Sequence, residues 1–130
     1  MIPMEVIKEV GVMCNEFFLY YEELDWCERI RSAGYSIHVL PAAIIYHKES
    51  MSAGKNSVLK TYYLTRSRFL FARRNLKGLN YILSILFLTL ISWPKNIIKL
   101  MSKRDHMRAY NSAVLWNLTN GEYTYKPFKN

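Results

Sequence analysis

Residues 79–93, LNYILSILFLTLISW, are the most hydrophobic stretch of the chain, and they limit what it can fold into. A run of this kind is buried in a core, laid along a membrane surface or threaded through a bilayer. Polar residues interrupt it, and Pro94 stops it short of the ~20 residues of a comfortable membrane span. Its continuation, PKNIIKLMSKR, alternates apolar and cationic positions as an interfacial helix does. Trp93 stands where an aromatic ring can sit at headgroup level. Peripheral membrane contact and a buried core helix are the two readings that remain.

The charge pattern favours an anionic partner. The net charge is +8, and seven of the ten acidic residues precede residue 30. From Ser50 to Arg104 there is no acid, whereas Lys55, Lys60, Arg66, Arg68, Arg73, Arg74, Lys77, Lys95, Lys99, Lys103 and Arg104 accumulate there. Phospholipid headgroups, a diphosphate or nucleic acid would satisfy such a segment, as would bulk solvent. No nucleic-acid-binding motif accompanies it, so no nucleic-acid partner is expected. An anionic membrane surface is one candidate partner.

At 130 residues and 51% hydrophobic, the chain can build one domain with a real core. Cys14 and Cys27 lack both CxxC spacing and disulfide-scaffold density, which suits reduced thiols and a cytoplasmic protein. The start, MIPMEVIKEVG, has no secretion-signal layout. In that light Asn117-Leu118-Thr119 is a chance match to a glycosylation acceptor.

Local signals place a short helix over 3–10, between Pro3 and Gly11, and a second over 21–33, closed by Gly34. YSIHVLP and AAIIYHK predict two short strands bent apart at Pro41. A longer helix is expected over 57–75, ended by Gly78. The tail forms either one more helix or a hairpin around Asn120-Gly121.

The second helix opens with an acidic cluster set among aromatics, FFLYYEELDWCERI. At about 100° per residue, Tyr20, Leu24, Cys27 and Ile30 share an apolar face, and Glu23 falls between Cys27 and Ile30. A carboxylate so placed is desolvated, its pKa rises, and it becomes suited to taking a hydroxyl proton. The plainer alternative is a helix-dipole acid that reaches solvent. Glu22 and Asp25 project elsewhere as surface acids, and Asp25 can pair with Arg29 one turn on.

FFLYYEELDWCERI, then AGYSIHVLPAAIIYH, then YYLTRSRFLFARRN, in this order over about residues 5–75, resemble the second half of the catalytic domain of family-two glycosyltransferases with the GT-A fold, especially bacterial rhamnosyltransferase-like enzymes. The resemblance implies that Glu22 and Glu23 match the family's Glu-Asp pair, whose second acid deprotonates the acceptor hydroxyl. Here it is Glu, one methylene longer. It further implies that His47 helps hold a metal, and that Arg66, with Asp25 and Trp26, belongs to the acceptor-facing wall or its support. Arg66 shares a helix face with Leu59, Tyr62, Phe69 and Leu70. It needs a carboxylate or phosphate there, or a salt bridge to the second helix. Ser67 replaces the family's usual Asn, and Met13-Cys14-Asn15 stands where an aromatic and two acids are usual.

The Rossmann-like donor half, with its Asp-x-Asp motif, is absent from these residues. The expected fold is therefore α+β and mostly helical: the C-terminal portion of a GT-A domain over 1–77, with a small two-stranded element, then a hydrophobic and basic helical tail over 78–130. The implied function is part of an inverting transferase acting in polysaccharide biosynthesis, inactive by itself. Its nucleotide sugar, its glycan or lipid-linked acceptor and its Mg or Mn ion would be engaged together with a donor half. Exposed apolar faces would favour self-association or that missing half, at the cytoplasmic face of the membrane. The alternative is a peripheral membrane or interaction module derived from a transferase.

Overall fold

The structure, a computed structural model, describes residues 1–44, 46 and 57–119. Six α-helices and one π-helical segment follow in order: α1 (Met4–Val10), α2 (Glu22–Ser32), α3 (Val58–Asn75), α4 (Gly78–Leu86), the π segment (Phe87–Ser92), α5 (Trp93–Leu100) and α6 (Arg104–Thr119). The mostly helical expectation holds.

The helix ends are written in local chemistry. Pro3 caps α1 and Gly11, at φ +80°, ends it. The C-terminus of α2 is a Schellman turn: Gly34 N–H donates to Arg31 and Tyr35 N–H to Ile30, with Gly34 left-handed at φ +91°. Ser57 caps α3 by accepting from Lys60 N–H at 3.1 Å.

No strand forms among the described residues, which corrects the two-stranded element. Residues 35–40 have no ladder partner, and Val39 and Leu40 are exposed. Part of the second run, with His47, lies outside the described residues. Gly78 is also corrected: α3 closes at Leu76, and Gly78 opens α4. The tail is helical through Thr119; the Asn120-Gly121 hairpin lies outside the described residues.

Pro94 does not end the apolar run. Gly78–Leu100 is one stretch of 23 helical residues, long and apolar enough to cross a membrane. Proline lacks an N–H and its ring clashes with the carbonyl four residues back, so an α-helix cannot pass it unaltered. Here the widened π turns of Phe87–Ser92 precede it, and Pro94 enters in the first turn of α5.

Two apolar cores result. In the larger, Phe69 and Ala72 of α3 meet Leu88 of the π segment and Tyr110 and Val114 of α6, with Leu76, Ile85, Ile97 and Leu100 around them. In the smaller, Val6 and Val10 of α1 pack on Ile30 of α2, flanked by Ile2, Trp26 and Tyr35. α3 lies against both α2 and α6, and so spans the two cores.

Candidate functional site

The acids at the start of α2 follow a strained turn. Tyr20 and Tyr21 are consecutive non-glycine residues at positive φ, +66° and +72°. A bulky residue there costs of order 1–3 kcal/mol and persists only where its surroundings fix it.

One face of α3 does the fixing. Arg66 donates to the Glu16 carbonyl at 3.1 Å, Ser67 Oγ to the Leu19 carbonyl at 3.0 Å, and Arg68 Nε to the Tyr21 hydroxyl at 3.2 Å. Ring contacts add to this: Phe18 with Tyr63 at 5.0 Å, Tyr21 with Phe71 at 5.6 Å, and the Lys60 ammonium 5.8 Å from the Tyr20 ring. Residues 16–21 are thus braced on a helix whose own core side is buried. Glu22 and Glu23 follow in the first turn of α2.

Beneath them lies a buried charge network. Asp25 is fully buried, which corrects its reading as a surface acid, although the expected pair with Arg29 forms. Its Oδ2 accepts from Arg29 Nε at 3.1 Å, and its Oδ1 from Arg74 Nε at 3.1 Å and Asn75 Nδ2 at 2.8 Å. Burial alone would pull the Arg74 guanidinium down; hydrogen bonding and charge from Asp25 more than reverse it, and it stays cationic. Arg29 also closes α1, donating to the Val10 and Val12 carbonyls at 2.7 Å each. Trp26 Nε1 donates to the Gly11 carbonyl at 2.8 Å. Asp25 and Trp26 therefore position the loop and carry no open polar face.

Glu23 is exposed, which corrects the expectation that it turns toward apolar neighbours. The wheel misplaced it because Tyr20 lies outside the helix and a charge, Asp25, occupies the buried side. Exposure leaves the Glu23 carboxylate open to a hydroxyl-bearing molecule. Glu22 is half-buried, with Oε2 shielded and lacking a hydrogen-bond partner. Glu16, on the loop, has its pKa raised by burial, against the pull of Arg74 and Arg66.

Arg66 satisfies neither the carboxylate nor the phosphate expectation in this structure. Its guanidinium lies over the Trp116 ring, 3.9 Å from the centroid, while it bonds the Glu16 carbonyl. It is a brace. Asn117 is also structural: it is buried and donates to the Arg66 and Ala113 carbonyls, which leaves no accessible amide for a glycan.

The side chains that build the frame, Glu16, Ser67, Arg74 and Asn75, have little signature in the sequence. Asp25 and Arg29, four apart, gave the one readable pair. Among the described residues no group of three or more His, Cys, Asp or Glu side chains is placed to hold a metal ion, and His47 lies outside them.

The chain is similar to a rhamnosyl transferase. It is 32% identical over 137 aligned residues to the dTDP-rhamnosyl transferase RfbF of Shigella flexneri, an alignment that takes in 95% of this chain and 46% of the relative. The chain thus spans about half the length of the curated relative it matches. No protein-family profile matches it, and no solved structure does.

Proposed function

We propose that the chain is the acceptor-side part of an inverting glycosyltransferase of family two, with the GT-A fold, moving a sugar from a nucleotide sugar to a cell-surface glycan or lipid-linked acceptor. The similarity to the Shigella flexneri rhamnosyl transferase, running through 95% of the chain, supports this reading. Glu23, exposed on a braced turn, acts as the base: it takes the acceptor hydroxyl proton as that oxygen bonds to the anomeric carbon. The bond from that carbon to the nucleoside diphosphate breaks, and its electron pair leaves with the diphosphate. The bonds from Arg66, Ser67 and Arg68, with the Asp25 network beneath, hold the turn in position. Phe18, exposed and stacked near Tyr63, offers a face to a sugar ring.

These residues contain no Asp-x-Asp, so the 130-residue protein alone transfers no sugar. The test replaces the matching part of the Shigella flexneri relative with this chain. A folded chimera should release dTDP from dTDP-rhamnose in the presence of acceptor. A chimera that shows native-like helicity and cooperative melting but no transfer refutes the reading.

A second reading adds to the first: the helical run 78–100 lies in the membrane interface. Leu79, Ile82, Leu83, Leu86, Leu90 and Ile91 are exposed at spacings of three and four, which makes a continuous apolar stripe. Crossing the bilayer is disfavoured, because Leu88 packs at mid-run against α3 and α6. Those helices would carry Arg66, Arg68, Arg73, Arg74 and Arg108 into hydrocarbon at about 2.5–3.5 kcal/mol each. Lying flat avoids that cost. Floating the protein on lipid vesicles tests it: the protein should rise with the vesicles, and Leu90→Asp should leave it behind.

A further inference from the structure

A groove of about 330 Å³ opens between α3, α5 and α6. Lys60 and Arg68 of α3 and Lys99 of α5 line it, together with Ser57, Thr61, Thr65 and Asn96. Among the described residues no carboxylate lines it and none forms a salt bridge with its three cations. Leu64, Leu100 and Tyr110 supply the apolar part of its wall.

Such a lining has the chemistry of a phosphate site: three cations among polar side chains, with no acid among the described residues to compensate them. Its place on the helical run decides which phosphate. Asn96, Lys99 and Leu100 line the groove, while Ile91 and Ile98, seven residues apart on the same run, face outward and are exposed. A helix lying in the interface with that apolar side down brings its flank, and the groove on it, to the depth of lipid phosphates.

We infer that this groove binds the phosphodiester headgroup of an anionic membrane lipid, held by Lys60, Arg68 and Lys99. The inference rests on the membrane contact proposed above and is independent of sugar transfer. The groove fixes which way the protein sits on the membrane, and so fixes where Glu23 stands relative to the surface. Arg68 connects the two, because its Nε donates to the Tyr21 hydroxyl in the turn before Glu22.

The experiment compares two doubly neutralised forms of the 130-residue protein on vesicles of phosphatidylglycerol with phosphatidylcholine, and on phosphatidylcholine alone. One carries Lys60→Gln and Lys99→Gln in the groove. The other carries Lys8→Gln and Arg108→Gln, exposed positions outside it, for the same change in net charge. Arg68 is left alone because its Nε hydrogen-bonds the Tyr21 hydroxyl at 3.2 Å, whereas Lys60 meets the turn through a ring contact at 5.8 Å.

A surface cation is worth about fivefold in binding to anionic vesicles, so the groove pair should lose about 25-fold and the outside pair less than about threefold. Equal losses overturn the groove assignment while leaving the membrane contact standing. No binding to either vesicle overturns both. Inorganic phosphate titrated against vesicle-free protein is the remaining arm. Saturable binding that the groove pair abolishes, with no preference for anionic vesicles, would give the groove to a soluble phosphate and overturn the lipid assignment. A stable dimer that forms without lipid and excludes vesicles would give the stripe to a second copy and overturn it too.

Discussion

Asp25 shows why single residues mislead when they are read by type. An acid in the first turn of a helix is ordinarily solvated, and nothing adjacent in sequence announces Arg74, whose Nε lies 3.1 Å from it. The carboxylate is tolerable in the interior because two guanidinium groups and an amide surround it. Removing it takes away the carboxylate that both guanidinium groups share, while Arg74 keeps its 3.8 Å pair with Glu16. Asp25→Ala should therefore destabilise the fold by about 3–5 kcal/mol, read as a lowered denaturation midpoint. Glu16 has the opposite sense. Burial raises its pKa above the ordinary 4.5, so the folded chain holds that proton more tightly than the unfolded chain does. Its contribution to stability is complete below that value and is lost as pH rises through the folded pKa. Between about pH 4 and pH 7, wild type should lose stability relative to Glu16→Gln, measured by urea unfolding at each pH. No relative change across that interval would count against the burial of Glu16.

At the level of elements, helices were legible where backbone chemistry punctuates them, and illegible where tertiary contacts decide. Pro3, Gly11, Gly34 and Ser57 mark ends that the structure reproduces. Gly34→Ala, at φ +91° with nothing within 4 Å of an added methyl, should cost about 1–2 kcal/mol in thermal stability from backbone strain alone. Pro94 was the misleading mark, because a proline reads as a stop unless a wider turn precedes it. The π segment has no sequence signature, and it carries Leu88 into the larger core. Leu88→Ala should cost about 2–5 kcal/mol, whereas Leu90→Ala, two residues on and exposed, should leave the melting midpoint nearly unchanged. Similar losses from both would mean that the run is not packed in this register. The two strands were misjudged for a different reason. Strand-forming residues make a strand only with a partner, and 35–40 has none among the described residues.

For the molecule as a whole, the order of its motifs was more informative than any one of them. Three stretches in sequence suggested a rhamnosyltransferase-like protein, and the similarity to the Shigella flexneri enzyme agrees with that over 95% of the chain. The architecture gives the arrangement a physical rationale: α3 braces the acid-bearing turn on one side and meets the apolar run on the other. The proposed base and the proposed membrane contact are thereby held on one helix. The surroundings of the proposed base differ from those its helix position suggests, since Glu23 stands in solvent and the buried acid is Asp25. The most direct measurement is the turnover of the folded chimera with Glu23→Gln. The account predicts a fall in kcat of at least about a hundredfold with KM little changed, as loss of a general base requires. A variant that transfers rhamnose at the parent rate would remove Glu23 from the reaction.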